Sequence, residues 1–381
     1  RTRIWTSTRT HRDPNRKSAP WVWDLIASVQ SIADAKRIAD CWRYASGQPQ
    51  TGGDDFFPGT AAQQLADYLF AAHLGGRSVS DVFRWCSNER DTSPADILSE
   101  YPRYAGIASR VSSVIALTPE TRSGVFGSLQ TMVAFLADPE IIDWIDPHRD
   151  TNGNIDERRG LFDPYEFATS EDTLYLLSAQ GRPSTALTAS LTAVVAFTAF
   201  QRAQSEFTGN NRRLPVPLCC VLDEAANICR WPELADVYSY FGSAGIPIMT
   251  IWQNPDQGRA AFGETNFGSL FNNANITVYL GGIKDAKFLG EISQLVGQRE
   301  IVRGSVNIDG TGRRSVNNSI QKENILDVSD LTEWPVGRAL LLASQSRAQI
   351  VKTLPWTGNR QWADALTQAK AKAREEQRKA A

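Results

Sequence analysis

The sequence predicts an α/β protein in which a parallel-sheet core is interrupted by an all-α domain, and three observations carry that prediction. Leu218-Cys219-Cys220-Val221-Leu222 is an unbroken apolar run of strand length that ends in Asp223-Glu224, the pattern of a strand buried on both faces of a parallel sheet. After it, Leu234, Val237, Tyr238 and Phe241 fall at i, i+3, i+4 and i+7, and Ile246 opens a second apolar run that closes at Trp252-Gln253. This is a β-α-β reading with polar groups at both strand tips. Third, residues 60–144 keep helical spacing and lack strand-like alternation, so they read as a separate helical unit.

Taken in order, residues 1–20 hold Arg1, Arg3, Arg9, Arg12, Arg16 and Lys17 against a single acid, Asp13. Such a run either touches phosphates or lies as a solvated loop. Trp21 to Leu25 reads as a strand end, followed by a helical stretch to Trp42; Pro49 and Gly53 then mark a boundary. Residues 146–159, rich in Asp, Asn and Gly, form a return linker. Thr173 to Leu177 is a strand, and the charge-free stretch 183–201 is a buried helix, since it is too rich in Thr and Ser for a membrane span. Beyond Gln253 the reading gives helix and turn over 255–271 and a third parallel strand from Ile276. It continues with an amphipathic helix through Leu289 and Ile292 and a strand over 299–306. Residues 308–318 read as a basic, Gly-bearing flexible loop, 339–343 with 349–354 as an antiparallel edge pair, and 370–379 as a surface helix.

Composition bounds the function. With 381 residues, two domains are expected. A net charge of −2 gives no global pull on nucleic acid, so any DNA contact rests on local patches. The five cysteines lack metal-ligand spacing and the three histidines are scattered, which argues against a zinc site and fits a reducing cytoplasm.

The strand tips carry the chemistry. A strand-end Asp223 suits Mg²⁺, directly or through water, and Glu224 suits the orientation and deprotonation of an attacking water. Gln253 on the neighbouring strand would sense the γ-phosphate of ATP, because phosphoryl transfer depends mostly on positioning and charge stabilisation. The plainer alternative is that Asp223-Glu224 starts a helix.

The segments LDEAANI, PELADVYSYFGSAGIPIMTIWQ, NNANITVYLGG and FLGEISQLVG resemble the TraG/TraD-type coupling proteins of conjugative type IV secretion, of actinobacterial kind. The resemblance extends to DDFFPGTAAQQLADYLFAAHLGGRSVSDVFRW and ENILDVSDLTEWPVGRALLLAS. It implies a RecA-like P-loop ATPase core with a parallel sheet, truncated at its N-terminus, and an inserted all-α domain. The implied division is residues 1–55 in the core, 56–150 all-α, 151–360 the core with Walker B, and 361–381 a tail. It also implies Asp223 and Glu224 as the Walker B pair and Gln253 as sensor, with ATP and Mg²⁺ as cofactors. The implied partners are single- or double-stranded DNA without sequence preference, a relaxase or relaxosome, secretion-channel proteins, and further copies in a homo-hexamer. The implied place is the cytoplasmic face of the membrane, with an anchor upstream.

Two departures matter. No G-x-x-x-x-G-K-[ST] loop occurs in the 381 residues, and the chain opens on Arg1, which reads as a fragment cut after that loop. Ala244 stands where the resemblance implies an arginine finger. Arg313 and Arg314, in the Gly-bearing loop, are the candidate DNA contacts. The alternatives are a non-hydrolysing adaptor that binds DNA or relaxase, and another hexameric DNA translocase.

Overall fold

The computed structural model describes residues 4–6, 21–48, 55–147, 160–177, 184–308 and 314–380, and the chain divides into two compact units, 1–272 and 273–381.

In the first unit β1 (Ile4–Thr6) and β2 (Trp21–Trp23) precede α1 (Ile32–Ala45), whose N-cap Ser31 accepts from the Asp34 N–H. Six helices follow: α2 (Phe56–Leu74), α3 (Val79–Ser87), α4 (Ser93–Ser99), α5 (Ala105–Ile115), α6 (Pro119–Val133) and α7 (Pro139–Ile145). Their starts are written locally. Ser78 and Asp81 form a capping box on α3, Asp138 caps α7, and proline opens α4, α6 and α7. Helix α2 runs through the middle, with Leu65, Tyr68, Leu69, Ala71 and Ala72 all out of water, as expected of a helix apolar on all sides. The one carboxylate buried with them, Asp67, accepts both forks of Arg110 on α5, at 2.8 and 2.6 Å. The helical region shares its core with the rest of the unit: Trp42 of α1 meets Phe135 edge-on, centroids 4.9 Å apart.

The chain returns through β3 (Gly160–Phe162), α8 (Pro164–Phe167) and β4 (Thr173–Tyr175) to α9 (Ser184–Ser205) and β5 (Cys220–Leu222). Ala189, Ala193, Ala196, Ala199 and Ala203 of α9 are fully buried, and the helix packs against α1. The charge-free stretch is thus a core helix. Among the described residues no single helix is long and apolar enough to cross a membrane. Then come α10 (Ala225–Ile228), α11 (Leu234–Val237), β6 (Ile248–Thr250), α12 (Pro255–Phe262) and α13 (Glu264–Asn273). The strands form three parallel pairs, β1 with β4, β2 with β3 and β5 with β6.

Two expectations are corrected here. The strand ending at Leu222 is not buried on both faces: Leu222 joins the core, but Val221 and its register partner Met249 are 57% and 55% exposed. No layer among the described residues covers that side of the pair. The helix expected from Leu234 to Phe241 is a single turn, α11, after which turns carry the chain. The periodic positions still serve the core, with Leu234, Val237 and Phe241 buried and Tyr238 half-buried.

The second unit holds β7 (Ile276–Tyr279), α14 (Ala286–Val296), β8 (Gln298–Ile308), β9 (Arg314–Asn324), α15 (Val328–Thr332), β10 (Arg338–Ala343), β11 (Gln349–Lys352) and α16 (Arg360–Ala380). The antiparallel edge pair β10–β11 forms as expected. The strand β7, expected to be parallel, pairs antiparallel with β10, Leu340 level with Tyr279. The Tyr279 hydroxyl donates to the Leu331 carbonyl at 2.8 Å and fixes that strand over α15. Strands β8 and β9 make an eleven-rung antiparallel ribbon. Residues 314–318, expected in a flexible loop, therefore belong to a strand. Residues 309–313, Arg313 among them, lie outside the described residues.

Candidate functional site

Strands β5 and β6 run in step, Leu222 level with Thr250. The ladder continues past them: the Ile251 N–H donates to the Leu222 carbonyl at 3.0 Å, and the Ala225 N–H to the Ile251 carbonyl at 3.3 Å. Both strands therefore deliver their next residues to one place. Gln253 Nε2 donates to Glu224 Oε1 at 2.6 Å, so two of the three expected site residues touch. Asp223 stands beside them in the chain, exposed, with no hydrogen bond or ion pair among the described residues.

Glu224 occupies the left-handed region, φ 51° and ψ 47°, which costs a side chain with a Cβ about 1–2 kcal/mol. That conformation ends β5 abruptly and starts α10 at the next residue, leaving the carboxylate at the strand tip beside Gln253. Local structure here works against intrinsic preference, as at sites where side-chain placement matters more than backbone ease.

Among the described residues no group of three or more His, Cys, Asp or Glu side chains comes together to hold a metal. Mg²⁺ keeps several waters and takes one or two carboxylates with substrate phosphates, so a lone open Asp223 fits that ion when phosphates face it. What the sequence lacks is the cradle of backbone N–H groups and lysine for those phosphates. The residues fit the metal and γ-phosphate side of a nucleotide site. They do not supply its phosphate loop.

The supports of the strand tip were not legible in the sequence. Trp252 Nε1 donates to Thr250 Oγ1 at 2.9 Å, and the Tyr238 hydroxyl lies 3.3 Å from the same oxygen. Trp252 is pinched edge-on between Phe262 and Phe267, with centroids at 5.7 and 5.2 Å. Behind β5, burial pushes the Cys220 thiol up to about 12, so it stays protonated and packs as a small apolar group. Arg37 of α1 reaches Glu233 at 3.1 Å while its guanidinium lies 3.6 Å from the Phe197 ring centroid. Desolvation raises the Glu233 carboxyl, and Arg37 pulls it back.

Ala244 is buried, and its carbonyl accepts from the Leu214 N–H at 2.9 Å. The arginine at this turn is Arg213. Arg213 Nη1 donates to the Gly242 and Ser243 carbonyls, at 3.1 and 3.4 Å. Arg314 opens β9 opposite Ile308.

Residues 217–336, which include this strand tip, match the family described as the TraM recognition site of TraD and TraG. This segment is similar to that family over 120 of the 381 residues. Among solved structures it is similar to the unbound monoclinic form of the bacterial conjugative coupling protein TrwBdeltaN70, with a TM-score of 0.61 at 15% identity over 93% of this chain and 74% of that one. The plasmid coupling protein TrwB in complex with ADP and Mg²⁺ gives 0.60 at 15% identity with the same coverage. Its complex with a non-hydrolysable ATP analogue gives 0.60 at 15%, over 93% of this chain and 78% of that one. At that identity the likeness is one of fold: a RecA-like core with an all-α domain. No curated protein matches the sequence significantly.

Proposed function

We propose that the chain is the motor part of a conjugative type IV secretion coupling protein, in which ATP hydrolysis drives DNA transfer. The observation that carries the reading is the 2.6 Å contact of Gln253 with Glu224 at the joint end of β5 and β6, next to an open Asp223. Bound MgATP would supply the γ-phosphoryl group and neutralise its charge. Asp223 would hold the metal ion, directly or through water. Glu224 takes the proton of the attacking water, and Gln253 orients that carboxylate. The partners are DNA, held without sequence preference, a relaxase or relaxosome, secretion-channel proteins, and further copies of the chain in a hexamer. The working place is the cytoplasmic face of the membrane. A second reading is a non-hydrolysing adaptor for DNA or relaxase, which a loss of the G-x-x-x-x-G-K-[ST] loop from the whole protein would favour and truncation of the chain would not.

The test is nucleotide turnover on two chains. The 381-residue chain alone is expected to hydrolyse no ATP, since its sequence has no G-x-x-x-x-G-K-[ST] loop to cradle the phosphates. In a longer chain that carries a phosphate-binding loop, Glu224→Gln should bind ATP as before and lose turnover by about 10²–10⁴-fold, the usual worth of a positioned base. Undiminished turnover in that variant would reduce Asp223-Glu224 to a helix start and leave the adaptor reading.

A further inference from the structure

The Glu224–Gln253 hydrogen bond is a contact between a half-buried carboxylate and an exposed amide. An exposed glutamine samples many rotamers and gains little from one hydrogen bond. It keeps a single partner when the backbone beneath it does not move. Residues on both sides of Gln253 are fixed. Downstream, the Asn254 side chain accepts from the Gln257 N–H at 3.0 Å, and Pro255 opens α12. Upstream stands Trp252.

Three features of different kinds hold Trp252. Gly258 leaves α12 bare where Phe267 approaches: a Cβ at 258 would lie 2.1 Å from Phe267 Cε2 and 2.3 Å from Cδ2. The Phe267 ring therefore rests on the helix backbone, and from there it meets the indole at 88°. Phe262, from the end of the same helix, meets the indole at 83°. The third support is the hydrogen bond to Thr250, whose hydroxyl is also within reach of Tyr238. These contacts restrain the half-buried indole, and the residue after it inherits that order.

We propose that Trp252 is a positioning residue for Gln253, locked by the Gly258–Phe267 contact and the Thr250 hydroxyl so that the amide stays on the Glu224 carboxylate. Its meaning for catalysis rests on the ATPase reading above; its meaning for geometry does not. With Oε1 of Glu224 engaged by the amide, Oε2 is the oxygen left for water, and one side chain aims the base for the other.

The decisive measurement is the side-chain amide resonance of Gln253 in the nucleotide-free 381-residue chain labelled with ¹⁵N-glutamine, assigned by its loss in Gln253→Ala. Glu224→Ala should move it to the position of a free amide. Trp252→Phe keeps the ring contacts and removes the indole N–H; Thr250→Val keeps the shape and removes the acceptor. Both should move the resonance at least half of that way, with melting temperature lowered by only about 2–4 °C, as for one lost hydrogen bond. A resonance unmoved in both variants overturns the proposal, and Thr250→Val decides alone should Trp252→Phe fail to fold. In a longer chain with a phosphate loop, the same variants should lower kcat about tenfold and leave the KM for ATP within about twofold. A purely structural role would instead move KM and stability together, and that result also overturns it. Intact turnover in Glu224→Gln would refute the ATPase reading, while the resonance would still decide whether Trp252 positions Gln253.

Discussion

In the helical region Phe126, Leu129 and Val133 of α6 and Leu65 and Leu69 of α2 are out of water, whereas on the β8–β9 ribbon the facing pair Val302 and Ile320 is 68% exposed on both strands. The two regions are built from regular elements of similar length, yet different forces hold them. Each fully buried large apolar side chain contributes about 1.5–3 kcal/mol, so the helices are fixed by what they bury. The ribbon rests on backbone hydrogen bonds and cross-strand pairs such as Arg303 with Glu323, each worth under about 1 kcal/mol. A two-stranded ribbon of this kind is marginal by itself. Regularity of secondary structure thus says little about where the stability resides.

The comparison breaks most readily in the helical core. Phe126→Ala should lower unfolding stability by about 3–5 kcal/mol, whereas Val302→Ser on the ribbon should stay within about 0.5 kcal/mol of the parent. Chemical denaturation followed by circular dichroism measures both, and similar losses would show that the ribbon face is covered in solution. A smaller effect sharpens what the ribbon end does. Arg313→Ala with Arg314→Ala should weaken binding to every DNA sequence alike and flatten the log–log salt dependence by about one to two, a little under one per phosphate contact. An unchanged slope, or a strong preference of the parent chain for one duplex, would remove the electrostatic role.

The smallest effect is in pH. Burial raises the Asp67 carboxyl above its ordinary value, with Arg110 pulling it back in part. A group that binds its proton more readily when folded contributes stability that is complete below the unfolded value, near 4 for Asp, and is lost as pH rises through the folded value. Acidification from neutral pH should therefore stabilise the helical region through Asp67, opposite to the trend of an ordinary salt-bridged carboxylate. Asp67→Asn should abolish that gain, and an identical pH profile in the variant would count against it.

Much of this was legible before any coordinates. The apolar pentad and its Asp-Glu ending located β5, and the next apolar run located its parallel neighbour; strand-end adjacency followed, and Gln253 does lie against Glu224. Helical spacing located α2 to α7 because those helices bury several sides at once. The failures have physical causes. Apolar content alone does not say whether a covering layer exists, so Val221 was read as buried. Strand direction depends on long-range pairing, so β7 was read as parallel. Residues 314–318, RSVNN, look like a loop because they show no apolar alternation. Trp252 and Gly258 gave no sign of each other, since their link runs through Phe267, fifteen residues beyond one and nine beyond the other.

The left-handed backbone at Glu224 bears on how a lineage would record the loss of its chemistry. That conformation suits glycine best and asparagine next, so the backbone itself does not favour a glutamate there. On the proposed ATPase reading, a descendant freed from hydrolysing nucleotide should drift at position 224 toward Gly or Asn and gain stability as it does. Glu224 holds that conformation here, at φ 51°. In a set of homologues the identity at this one position should separate motors from adaptors.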